Sequence, residues 1–276
     1  MRTLFCALGA VAPFIILLPH APRAVASPCG DDPFADVVVS FDAGQGGAKG
    51  YDNPFTTLGS PERFTGEGLF PVVVSPFSPP FGQDEIVSIG AGGHLTVRFN
   101  TPVRNSPGNP WGIDLLIFGN TGFIDSNWPN GVVGGLFGND GGVIEVSRNG
   151  KTWFRVPNVT ADNMFPTLGY LDSGPYDDQP GTLPTDFTRP VDPALTLNDF
   201  MGRSYAEVLA LYDGSGGGTG IDLDSVGLNW IRYVRVLNEG TDSIEIDAFA
   251  DVRAIPAPGA AVLILLGLPR RRRRTQ

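Results

Sequence analysis

The segment Val143–Val156, VIEVSRNGKTWFRV, sets Asn149-Gly150 between two short runs rich in β-branched and aromatic residues. Few patterns restrict a chain more. Asn and Gly tolerate the positive φ of a tight hairpin turn, and the flanking runs favour strands. A two-residue turn places Val146 opposite Trp153 and Glu145 opposite Phe154. Ile144, Val146 and Trp153 then share one face, and Val143, Phe154 and Val156 the other. A hairpin that is apolar on both faces belongs inside a sandwich.

The rest of the chain agrees. Gly (37) and Pro (25) exceed a fifth of the 276 residues, which suits a protein with many turns, and a 42% hydrophobic content argues against disorder. No long helical periodicity and no repeat emerges. The expected fold is all-β, a jelly-roll-like β-sandwich with long Gly/Pro-rich loops and one short helix.

Met1–Ala26 reads as a secretory signal peptide: Arg2 is the charged start, Leu4–Leu18 is mostly apolar, and Ala24-Val25-Ala26 is a small-x-small site, with cleavage expected before Ser27. Signal peptidase is thus the first expected partner. Cleavage removes Cys6 and leaves Cys29 unpaired, so the mature chain can form no intramolecular disulfide. The domain expected over 27–255 carries 12 basic and 29 acidic residues, a net of −17. Such a surface repels nucleic acid and anionic lipid and suits solubility or cation binding.

Strands are expected at Val37–Phe41, Glu85–Ile89, His94–Phe99, Ile113–Phe118, Asn229–Leu237 and Ser243–Val252. In HLTVRF the residues Leu95, Val97 and Phe99 alternate with polar neighbours, the pattern of a half-buried strand. Apart from Asp114, IDLLIF is a continuous apolar run and reads as a central strand. In the last strand Ile244, Ile246, Ala248 and Ala250 share a face, which leaves Phe249 needing cover from a loop. The one helix expected lies in Leu197–Tyr212, carried by Tyr205–Tyr212, with Asn198 or Ser204 as its cap. Asn158–Leu195, with six prolines, is long enough to be functional or poorly ordered.

The tail 256–276 joins Pro256, Pro258 and Gly259 to the apolar run Ala260–Leu268 and the basic cluster Arg270, Arg271, Arg272, Arg273 and Arg274. It resembles the PEP-CTERM sorting signal. Ala257 stands where that motif usually has Glu, and the nine apolar residues are too few to cross a bilayer core of roughly 30 Å unaided. The resemblance implies an exosortase-type sorting enzyme as partner, membrane contact only through the tail, and an extracellular or cell-surface destination. Ser147, Asn149, Gly150 and Trp153, together with RYVRV at Arg232–Val236 and IEIDAFADV at Ile244–Val252, resemble the strand pairs of discoidin-like, galactose-binding-type sandwiches. Tyr51–Pro61 and Asp114–Phe118 are similar to landmarks of secreted proteins bearing PEP-CTERM tails. Sandwiches of this kind often bind carbohydrate, although fold does not decide function.

His20 falls in the leader, so His94 is the mature domain's single histidine. No nucleophile elbow accompanies it, and one His with one Cys cannot furnish a zinc site. No catalytic residue is assigned, and no nucleotide or redox cofactor is expected. Carboxylate pairs for glycoside hydrolysis are plentiful, but sequence does not set their separation. Calcium is the cofactor that the acidic residues suit. Gly217–Asp222 fits the repeat pattern G-G-x-G-x-D once, which points to Asp222 and Asp224. Carbohydrate-binding sandwiches that this chain resembles often hold calcium between the first and last strands, which implies Asp42 and Asp247.

A sugar site needs exposed aromatic rings beside polar donors and acceptors. Trp111, Trp128, Tyr170 and Tyr176 lie in loops and are the candidates; Trp153 and Trp230 lie in strands and are expected in the core. The leading expectation is a secreted, surface-sorted, non-catalytic sandwich that binds extracellular polysaccharide or contributes to a surface matrix. The alternatives are a glycan-active hydrolase on the same fold and a purely structural envelope protein.

Overall fold

The computed structural model describes residues 32–66 and 70–254. The expected leader, Cys29 and the tail 256–276 expected to direct sorting lie outside the described residues. Thirteen strands are present: β1 (Val37–Asp42), β2 (Phe64–Thr65), β3 (Val72–Val73), β4 (Val87–Ile89), β5 (His94–Arg104), β6 (Leu115–Gly119), β7 (Gly122–Asp125), β8 (Val133–Phe137), β9 (Val143–Ser147), β10 (Phe154–Thr160), β11 (Thr219–Ile221), β12 (Trp230–Leu237) and β13 (Ile244–Asp251). Two antiparallel sheets, of order β1-β5-β12-β9-β10 and β11-β6-β13-β4, form the sandwich. Short hairpins β2-β3 and β7-β8 flank them. The all-β expectation holds.

Alternation builds the core. Leu95, Val97 and Phe99 of β5, Ile144 and Val146 of β9, and Val234 and Val236 of β12 meet Leu115 and Ile117 of β6 and Ile244 and Ile246 of β13 between the sheets. Each such side chain contributes roughly 1.5–3 kcal/mol relative to exposure. As IDLLIF implied, β6 is central, between β11 and β13. Its outward residues Leu116 and Phe118 are also buried, under Phe187, whose ring lies 5.3 Å from that of Phe118. Phe187 comes from the long stretch after β10, so that stretch is a lid on the smaller sheet. Arg63 holds it there, 4.0 Å over the Phe187 ring and donating to Thr185 O at 2.8 Å.

Three local expectations need correction. First, β9 pairs Val146 with Phe154 and Glu145 with Arg155, one residue away from a two-residue turn. Side chains close a wider turn instead: Ser147 Oγ accepts from Asn149 N and Gly150 N, and Asn149 Oδ1 accepts from Lys151 N and Thr152 N, the last two at 2.9 Å. A slip of one residue exchanges the faces of a strand. Val156 therefore joins Ile144 and Val146 in the core, while Trp153 leaves it for the outer face; Trp230 is likewise only partly buried.

Second, a bulge between Ile246 and Ala248 resets β13. Phe249 enters the core between the sheets, and Ala248 and Ala250 turn to the lid side. Third, among the described residues there are two α-helices, α1 (Leu197–Phe200) and α2 (Tyr205–Tyr212), because two capping boxes lie in tandem: Thr196 with Asp199, and Ser204 with Glu207. Asn198 lies inside α1 rather than capping it. With Phe77, Phe123 and Phe165, Phe200 and Tyr212 of these helices make a second apolar cluster, under the β7-β8 hairpin.

Candidate functional site

That second cluster carries the β7-β8 hairpin, whose connecting loop presents Trp128. Asp125, the last residue of β7, organises the loop. Its Oδ1 accepts from Asn127 N and Val132 N, and its Oδ2 from Gly131 N, all at 2.9 Å. The hydroxyl of Tyr176, from the lid, donates to the same Oδ2 at 3.2 Å. Burial alone would raise the Asp125 carboxyl, but donation from the N–H groups of Val132, Asn127 and Gly131 outweighs it and holds the group below the usual range. Burial, and then the charge of Asp125, raise the Tyr176 phenol, so it keeps its proton and its bond.

The outcome is an aromatic pair on a fixed frame. Trp128 is 73% exposed, and its ring centroid lies 6.4 Å from that of Tyr176 with the planes at 52°. An exposed Trp pinned at its base offers a flat apolar surface without losing much conformational entropy on binding. The structure thus unites two of the four sequence-predicted aromatics. Trp111 stands elsewhere, half exposed, in the turn at Pro110–Gly112 with φ of 54°. Tyr170 lies beside Arg63, whose guanidinium is 5.9 Å from its ring centre.

The predicted metal residues are dispersed among local tasks. Asp42 accepts from Gly44 N at 3.0 Å. Asp222 starts a short helical turn by accepting from Asp224 N at 2.7 Å, and Asp224 accepts from Asn105 Nδ2 at 2.6 Å. Asp247 is buried at the β13 bulge, where it accepts from Glu62 N at 3.2 Å.

Another trio converges: Asp140, Asp162 and Glu245 bring carboxylate oxygens within 4.8 Å of one another. Asp140 is exposed, and the other two are buried. Asp162 Oδ1 accepts from Asn120 N, Thr121 N and Thr121 Oγ1, and its Oδ2 from Glu245 N. Glu245 Oε1 accepts from Ser88 Oγ at 2.8 Å. Burial, opposed by the Thr121 hydrogen bond and reinforced by Glu245 and Asp140, pushes the Asp162 carboxyl up to about 8. The donor set is all oxygen, as calcium requires. Sequence offered no spacing signal for this trio, since it joins a loop, the start of the lid and β13.

His94 Nε2 lies 3.1 Å from Ser40 Oγ on an exposed part of the larger sheet. Among the described residues no carboxylate orients the other ring nitrogen, the third member that a Ser-His pair uses in catalysis. No family model matches the chain, and no curated protein matches it.

Proposed function

We propose that this protein is a secreted, non-catalytic binding module that takes extracellular polysaccharide on the Trp128–Tyr176 platform. The observation that carries the reading is the exposed Trp128 ring beside Tyr176 on a loop fixed by Asp125. Pyranose rings have an apolar C–H face, which matches an exposed aromatic plane. The leader would export the chain, and the Pro256–Arg274 tail, through an exosortase-type enzyme, would sort it to the cell surface. Calcium at Asp140, Asp162 and Glu245 would tie the lid to β13 and so steady the scaffold behind the platform.

The test is co-sedimentation of the full-length protein with insoluble neutral polysaccharides, wild type against Trp128→Ala. Retention of wild type and release of the variant support the reading. Equal retention overturns it. If no polysaccharide retains either protein, a structural envelope role takes its place; release of reducing sugar would favour the hydrolase.

A further inference from the structure

The charges of this acidic chain are not evenly spread. Strands β1, β5 and β12 and the β9-turn-β10 hairpin, the whole larger sheet, hold seven of the twelve basic residues of 27–255 but only Asp42 and Glu145 of its 29 acidic ones. Within them the outer face carries a cavity of about 340 Å³, whose walls include Ser40, Thr96, Lys151, Trp153, Tyr233 and Arg235 and no acidic residue. That volume is at the small end of the roughly 300–1,000 Å³ of ligand sites.

The cavity is built by the hairpin's wide turn. Gly150, at φ of 69°, lies so close that a Cβ would sit 3.2 Å from the Tyr233 ring, so the turn folds back against Tyr233 as a wall. Trp153 meets Tyr233 edge to face at 6.5 Å. Arg235 lies 4.2 Å over Trp153 and is fixed from behind by Glu145, which accepts from Arg235 Nε at 3.0 Å and from its Nη2. Glu145 is thus spent on Arg235, whereas Lys151 has no ion-pair partner among the described residues. Arg98 stands directly across from Tyr233 in the β5-β12 ladder, outside the cavity wall, and its Nη2 donates to Asn100 Oδ1 at 3.1 Å.

We infer that this face is a second site, for a sugar ring bearing a carboxylate. Tyr233 and Trp153 supply apolar ring surface, the hydroxyls of Thr96 and Ser40 meet sugar hydroxyls, and Lys151 with the basic sheet behind it draws the anion. The site shares no residue with the Trp128–Tyr176 platform.

The experiment is titration of the full-length protein with polygalacturonate and with its fully methyl-esterified form, the same sugar without charge, at low and high salt. Wild type binds the acid form more tightly than the ester, and high salt weakens it. Lys151→Gln, an exposed change that leaves the melting temperature in place, lowers the affinity roughly three- to fivefold. Tyr233→Leu, which removes the aromatic ring surface, weakens binding, and Trp128→Ala leaves it unchanged. The inference is overturned if wild type fails to bind polygalacturonate, if the ester binds equally well, or if Lys151→Gln changes nothing. Equal, Lys151-dependent binding of single-stranded DNA would also overturn it, because the face would then select charge and not sugar. Loss with Trp128→Ala alone would assign the binding to the platform instead.

Discussion

Trp153 and Tyr233 touch edge to face, with ring centroids 6.5 Å apart at 78°, on the outer surface of the larger sheet. Their meeting follows from one residue of register. The Asn149-Gly150 dipeptide does end the strand pair, but Ser147 and the Asn149 side chain satisfy the turn's N–H groups and let it widen. The tryptophan that a two-residue turn would bury becomes a surface feature.

Asn149→Ala removes the acceptor for two backbone N–H groups at once. We expect the loss of about 1–2 kcal/mol of stability, read as a lower urea midpoint with an unchanged slope. Asn149→Asp, which keeps the oxygen, should retain most of it.

Phe249→Ala should be far more harmful than its neighbours' positions suggest. The side chain is fully buried between the sheets, so truncation costs about 3–5 kcal/mol. If Phe249 were covered only by a surface loop, the loss in the same urea experiment would be near 1 kcal/mol, the typical cost of a point mutation.

Trp128→Ala should leave the urea midpoint within about 0.5 kcal/mol of wild type, since the ring is largely exposed, while abolishing retention on neutral polysaccharide. Tyr176→Phe keeps the ring but deletes the bond to Asp125; it should weaken retention without abolishing it.

Above about pH 5, where the carboxylates held low by hydrogen bonds (Asp125, Asp172, Asp199 and Glu207) are ionised in both states, stability should fall as pH rises towards 8. The folded-state pKa of Asp162 is raised above its ordinary 3.8, to about 8, so the native state holds more protons than the unfolded chain between those values. Its stabilising contribution is complete below the unfolded pKa and is lost as pH climbs through the folded one. Burial raises Asp247 and Asp114 as well and adds to the same slope. Unfolding in urea at a series of pH values tests this, and Asp162→Asn, neutral throughout, should flatten the slope.

Calcium should reverse that loss. Near pH 8, millimolar calcium raises the melting temperature if the Asp140–Asp162–Glu245 oxygens bind it in the folded state only. EDTA should lower it in protein carrying calcium, and Asp162→Asn should respond to neither. An identical rise in wild type and variant would place any calcium elsewhere.

Much of the fold was legible in local pattern. Alternation in HLTVRF marked the buried residues of β5, and the apolar run Leu115–Phe118 marked a strand covered on both sides. Ser204 as a helix cap followed from chemistry that acts within four residues. Of the aromatics proposed to bind, Trp128 and Tyr176 were visible as loop residues, but their pairing was not. They are 48 positions apart in sequence, and Asp125, the carboxylate that joins their loops, carries only a local Asx-turn signal.

The limits were non-local. Nothing in IEIDAFADV announces a bulge, because the bulge is set by how β13 must pair with β6 on one side and β4 on the other. The carboxylate trio joins residues up to 105 positions apart. By itself the sequence determined eight of the nine strands of the two main sheets, the Ser204 cap and the acidity of the chain, but not the short strands β2, β3, β7, β8 and β11 or the Thr196 cap, since period, propensity and composition act over a few residues. Only the tertiary structure decided the register of the hairpin, the face on which Phe249 and Trp153 lie, and the gathering of basic residues on one sheet. Those outcomes depend on which strand becomes whose neighbour, and the free energy that selects them arises from burial shared between distant parts of the chain.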